Sequence, residues 1–316
     1  MLSDRPRAIR LLVLAGGVLC ISTAAIFIRF AQREASSLVI AAGRMIISTF
    51  PLLVYVLLRR PGSLKQLRGK DMKLSVLSGV FLAFHFAAWI SSLELTSITS
   101  SVVIVCTTPV WVTLADVALF KTKIAWRTII GIGLTLLGGI LIGASETCAI
   151  SRAGVECQNV VITNNSRVMA GNLLALIGAW MAAGYLLIGR VVRQRVNLST
   201  YALVVYGTAA ILLSGTVLLA QLKFTGYSLY FYGFIILLAV FPQLIGHSTL
   251  NWALKYLPVT YVTIANMGEP IGSTIFAIIL FKEIPTPLKV LGAIIILLGI
   301  LTVTKTGLTA GNHSGV

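Results

Sequence analysis

A chain of 316 residues that is 57% hydrophobic and 11% charged, with a mean hydropathy of +0.96, cannot cover a soluble surface, which ordinarily carries about 25% charged residues. The net charge of +16 does not mark a nucleic-acid partner, because the 25 Lys and Arg fall in short runs between apolar stretches and not on one face. Four scattered cysteines and three histidines exclude a disulfide scaffold or zinc cluster, and no metal or cofactor is expected.

Runs of about 20 apolar residues, each long enough to cross about 30 Å of hydrocarbon, recur ten times. The first, 9–31, has the length of a full span and lacks a small-residue cleavage site, so it is expected to remain as helix 1. Spans follow at 37–58, 72–93, 96–119 and 126–144, and then at 168–189, 199–220, 231–253, 257–280 and 286–304. The polar stretches around Glu94 to Thr96 and Lys255 to Pro258 are so short that the helices they join must be antiparallel neighbours. With the amino terminus inside, 17 of the 25 basic residues fall on the cytoplasmic side and 7 on the other, leaving Arg44 within the membrane. Both termini are therefore expected in the cytoplasm, and the short termini and compact loops suit a bacterial inner membrane. The loop 145–167 falls on the other side. It holds Cys148 and Cys157, which an oxidising compartment could bridge if the geometry allows, and Asn164 in a formal glycosylation sequon.

Setting Pro109 over Pro270 aligns residues 84–142 with 245–303 without a gap, an offset of 161. The register matches Phe120 and Lys121 with Phe281 and Lys282, Gly131 with Gly292, and Gly138 with Gly299. The chain reads as a duplication: a first five-helix repeat at 1–144, a linker at 145–167 and a second repeat at 168–316. An odd number of spans per repeat inverts the second against the first. The expected fold is thus an all-α membrane protein of two inverted five-helix repeats, an arrangement that lets one scaffold open to either side.

The repeat is carried by "LELTSITSSVVIVCTTPVWVTLADVALFK" and "LKYLPVTYVTIANMGEPIGSTIFAIILFKE", each followed by a glycine-containing helix. In these segments the chain resembles the drug/metabolite transporter superfamily, specifically its ten-helix EamA-type members. The resemblance implies transport of small organic metabolites, with amino acids and related compounds as the first expectation. Members often place an acidic residue after helices 4 and 9. Here Glu283 follows helix 9, whereas Thr122 stands in the matching place of the first half.

Ionisable groups in hydrocarbon are expensive, so each is a candidate for function unless a structural partner explains it. Glu269 precedes Pro270 in helix 9, where the proline removes a backbone donor, and it reads either as a substrate or proton site or as a packing carboxylate. His85 in "FHFAAW" and His247 in "GHSTLNW" miss correspondence by one residue, and they either face a central cavity or tie helices together. Arg44 could clamp a substrate carboxylate or pair with Glu269 or Asp116, the latter placed as an interfacial or gating residue. Trp89 and Trp252 offer flat apolar walls or interface anchors, Asn251 and Asn266 add hydrogen-bonding capacity, and Trp180 and Tyr185 line the same path or pack in the core. Gly139 and Gly143 form a GxxxG step suited to close packing within the chain or in a homodimer.

No Walker A loop, HExxH pair or nucleophile with a base is present, which speaks against direct ATP drive and against an intramembrane enzyme. Rings of like charge expected of a channel filter are not evident either. The reading is a secondary transporter of small solutes.

Overall fold

The computed structural model describes residues 7–67, 69–96, 98–121, 123–144, 148–151, 154–157, 166–281 and 286–310. The first half consists of α1 (Arg7–Ile21) and α2 (Ala24–Ala31) in one span, α3 (Ser37–Arg59), a surface turn α4 (Ser63–Gln66), α5 (Lys70–Leu95), the paired α6 (Ile98–Val105) and α7 (Thr108–Phe120), and α8 (Trp126–Ala144). The second consists of α9 (Ser166–Val192), α10 (Leu198–Leu219), and a composite span of α11 (Leu229–Leu238), a π-helical segment (Ala239–His247) and α12 (Ser248–Ala253). The paired α13 (Val259–Asn266) and α14 (Glu269–Phe281) follow, and α15 (Pro287–Ala310) ends the bundle. Seven of these spans are apolar over at least 18 residues, and α8, α14 and α15 add shorter apolar helices. Between the halves lies a short hairpin, β1 (Cys148–Ser151) with β2 (Gly154–Cys157), which hydropathy does not reveal. Its register sets Cys148 opposite Cys157, but their side chains, like Asn164, Thr122 and Glu283, lie outside the described residues.

The offset of 161 seen in the later helices governs the whole bundle. It carries the start of α3 at Ser37 to that of α10 at Leu198, and both ends of α6 and α7 to both ends of α13 and α14. It also relates tertiary contacts. Gln32 Nε2 donates to the Ile90 carbonyl at 2.9 Å, and the residues 161 positions later repeat the bond, Arg193 Nε donating to the Asn251 carbonyl at 3.0 Å. Each bond ties the loop after the first span of its half to the third span.

The same symmetry is sharpest where α8 lies along α15. A Cβ on Gly138 would stand 2.6 Å from the Gly292 carbonyl oxygen, and one on Gly292 would stand 2.7 Å from that of Gly138. The offset converts this pair into Gly299 and Gly131, where the corresponding distances are 2.8 and 2.9 Å. Backbones this close leave no room for any side chain. Gly139 meets nothing within 4 Å, so the close approach runs through Gly131 and Gly138 at a spacing of seven and not through Gly139 of the expected GxxxG step.

Packing elsewhere follows from small residues on facing helices. α5 lies along α9 and α3 along α10, burying Ala41, Ala42, Ala175, Ala179, Ala183 and Ala209. Leucine and isoleucine on the outer faces, such as Leu58 and Ile211, are exposed in the isolated bundle, as a chain solvated by hydrocarbon requires. At one end of the bundle the halves are joined by Glu34, which accepts from Ser228 N at 2.9 Å and Ser228 Oγ at 2.7 Å, while Ser228 Oγ accepts from Phe231 N and caps α11. These bonds hold the Glu34 carboxyl below its ordinary 4.5.

Two measurements follow from these contacts. Gly138→Ala or Gly292→Ala is expected to cost about 1–3 kcal/mol through overpacking, whereas Gly139→Ala is neutral or mildly stabilising, as read by thermal unfolding in detergent. Equal losses at Gly138 and Gly139 would contradict this packing. Because folding lowers the Glu34 titration, its stabilisation is present above the unfolded value and disappears as pH falls through the folded one. Glu34→Gln should therefore lower the melting temperature at about pH 7, by an amount that shrinks as the pH is lowered through the folded titration.

Candidate functional site

Four irregularities interrupt the helices, and they converge. Between α1 and α2 the hydroxyls of Ser22 and Thr23 turn back onto the carbonyls of Val18 (2.9 Å) and Cys20 (2.8 Å), competing with the helix's own ladder. Between α6 and α7, Thr107 and Thr108 do the same to Ile104 and Val105, and Pro109 falls in the first turn of the new helix, where its missing N–H costs nothing. The break between α13 and α14 is its symmetry mate, with Gly268 before Glu269 and Pro270 in the first turn of α14. Pro270 therefore starts a helix and does not loosen one. The fourth is the nine-residue π segment, which contains Pro242.

These four sites wall a small cavity of about 50 Å³, room for a few waters in this conformation. Ile21 and Ala24 flank the first break on its wall, Cys106, Thr108 and Pro109 the second, Met267 and Glu269 the third, and His247 closes the π segment. α5 adds His85 and Trp89, α9 adds Tyr185, and α13 adds Thr263 and Asn266. Both halves thus contribute to one chamber at the middle of their spans.

Its polar groups are ordered by short bonds. His85 Nδ1 lies 2.9 Å from the Gly178 carbonyl and its ring stacks on Trp89 at 5.9 Å, within 6.5 Å of the His247 ring. Tyr185 receives a hydrogen bond from Asn251 Nδ2, and Asn266 stands beside Glu269 on the same wall. Glu269 is 4% exposed and is the first residue of α14, where the partial positive charge of a helix N-terminus favours a carboxylate. Among the described residues no group of His, Cys, Asp and Glu could hold a metal ion.

Of the ten residues singled out by sequence, His85, Trp89, Tyr185, His247, Asn266 and Glu269 stand on the cavity wall. Asn251 is one step behind it, buried against Tyr185. Arg44 is fully buried behind Phe86, its guanidinium 4.1 Å above that ring, and forms an ion pair with neither Glu269 nor Asp116 among the described residues. Two tryptophans fall elsewhere: Trp180 is 41% exposed and meets Trp111 edge-on at 5.4 Å, and Trp252 packs on Tyr256 at 5.2 Å. Helical phase separates them from the wall, a property that depends on how each helix is rotated in the bundle.

Sequence reading passed over Gln243, which accepts from Arg44 Nε at 2.9 Å, and Tyr206, whose hydroxyl lies 3.1 Å from Ser248 Oγ. A signal existed. The residue 161 positions before Gln243 is Leu82, so an amide in that place breaks the repeat.

Asp116 pairs with Arg190, joining α7 of the first half to α9 of the second, and nearby Arg195 grips Asp71 of α5 through both oxygens at 2.6 and 3.2 Å. Removing either member of the partly buried Asp116–Arg190 pair, by Asp116→Asn or Arg190→Gln, should cost about 1–3 kcal/mol in thermal unfolding. The exchange Asp116→Arg with Arg190→Asp should recover much of that loss, and no recovery would show that the pair is not coupled.

The sequence profile of the EamA-like transporter family matches residues 8–144 and again residues 169–305. Comparison with curated protein sequences gives no match. A protein of known crystal structure shares the fold at a TM-score of 0.75 and 16% identity, over 98% of this chain and 100% of its own. Two profile matches covering nearly all of a bundle of inverted repeats, with a chamber at their interface, place the chain in the EamA-like transporter family as an integral membrane transporter of small solutes.

Proposed function

We propose that the protein is a secondary carrier that exports or exchanges small organic metabolites, amino acids and related compounds first among them, by alternating access, with Glu269 as its proton-linked group. The observation that carries this reading is a lone carboxylate on the wall of a chamber enclosed between two inverted halves. Inverted repeats supply two related conformations of one scaffold, so the same chamber can open to either side. A carboxylate at that depth is costly when charged, which couples its protonation to the access of water or of a solute cation. Trp89, Tyr185 and the two histidine rings give an organic solute flat walls, while Thr108, Thr263 and Asn266 give it hydrogen bonds. Charge asymmetry supports cytoplasmic termini, in a bacterial inner membrane.

Counterflow in proteoliposomes loaded with a labelled metabolite pool tests the proposal, with and without a pH gradient. Saturable, solute-selective exchange is expected, stimulated by the gradient in the wild type and insensitive to it in Glu269→Gln. Non-saturable flux would identify a channel, product without vectorial movement an enzyme, and a Glu269→Gln protein that keeps the gradient response would return Glu269 to a packing role. In the same assay Trp89→Ala should raise the half-saturation concentration by about threefold to tenfold, and Trp252→Ala should not.

A further inference from the structure

Arg44 is the one described residue within the bundle whose charge the protein leaves without an ionic partner while burying it completely. Its Nε is satisfied by Gln243 Oε1 at 2.9 Å, but Nη1 and Nη2 have no partner. Accepting that bond turns the other end of the Gln243 amide away, and its Nε2 is also buried and unbonded. The result is a donor array of two guanidinium nitrogens and one amide nitrogen. His247, on the cavity wall, packs edge-on against the ring of Phe86 at 5.3 Å, and the Arg44 guanidinium covers that ring at 4.1 Å. The array is therefore one ring away from the chamber. The titratable groups that act on it electrostatically are Glu269 of α14, Tyr206 of α10, Tyr185 of α9 and the two histidines of the chamber wall.

A structural need for this cation is contradicted by the other half. The positions related to Arg44 and Gln243 by the repeat are Val205 and Leu82, both apolar and both buried, and there the same helix packing is built without charge. Both members of the pair are thus additions to a scaffold that folds without them. A guanidinium edge with unfilled, coplanar donors matches the two oxygens of an oxyanion, to which it bonds bidentately. An unpaired buried charge is costly, and an arriving anion offsets that cost.

We infer that Arg44, held by Gln243, is the subsite for an anionic oxygen pair on the transported solute, a carboxylate or a phosphate, whose organic body rests among Trp89, Tyr185 and the histidine rings. This rests on the carrier reading, but its test does not require transport. Binding of 3-phenylpropionate, its neutral amide and phenethyl phosphate to the purified protein in detergent would be measured by calorimetry, for wild type, Arg44→Gln, Arg44→Lys and Gln243→Leu. The three probes share one aromatic body and differ at the polar end. At least one anion should bind about tenfold or more tightly than the amide, and that preference should vanish in Arg44→Gln and weaken in the other two. The tighter of the two anions identifies the group as carboxylate or phosphate. If neither anion outbinds the amide, including the case where none binds, the assignment fails. It fails equally if the preference survives in Arg44→Gln or, should that variant not fold, is undiminished in both Arg44→Lys and Gln243→Leu. Anion binding without vectorial exchange would reject the carrier and keep the subsite, whereas exchange indifferent to the anion would do the reverse.

Discussion

Hydrocarbon offers no hydrogen bonds, so a backbone inside it has to close its own ladder, and any place where the ladder opens must be covered by protein or face a polar space. In this chain the ladder opens at Ser22–Thr23, Cys106–Thr107, Met267–Gly268 and along the π segment, and residues beside every opening line the same chamber. The devices are local and cheap: hydroxyls that fold back onto carbonyls, and prolines placed where a new helix begins. Outside the chamber the helices continue without such breaks, apart from the one donor that Pro51 removes inside α3, and they present leucine and isoleucine to lipid. The position of the chamber and the position of most of the irregular backbone are one constraint seen twice.

The duplication supplies the rest of the architecture. A single offset relates helix ends, the carbonyl bonds of Gln32 and Arg193, and the two glycine contacts of α8 with α15. Packing is therefore nearly symmetric, while polarity is not. Thr108 is matched by Glu269, Leu82 by Gln243, Phe86 by His247, Ile90 by Asn251 and Val105 by Asn266. The second half carries most of the polar groups on the chamber wall, and the first contributes His85 and Trp89, with Arg44 behind Phe86. In a fold built from two copies, the places where the copies disagree are ones where the shared helix packing does not dictate the side chain.

Charge at the bundle's ends has a different task. Asp116 with Arg190 and Asp71 with Arg195 tie the halves at one end, and Glu34 with Ser228 ties them at the other. A carrier that alternates access has to break such ties in turn, so bonds of modest strength suit these positions better than an apolar seam.

Hydropathy alone determined the ten spans, because crossing hydrocarbon demands about 20 apolar residues whatever surrounds them. The gapless offset likewise determined the inverted repeat, and the cost of burying ionisable groups pointed to Glu269, His85, His247 and Arg44. Tertiary structure decided what depends on helix rotation and on neighbours. It set Trp89 on the chamber wall while turning Trp180 and Trp252 elsewhere, passed over Gly139 for Gly131 and Gly138, and brought Gln243 to Arg44 from 199 residues away. Residue type reports how much a burial costs, but which partner meets that cost is settled only when helices distant in sequence pack face to face.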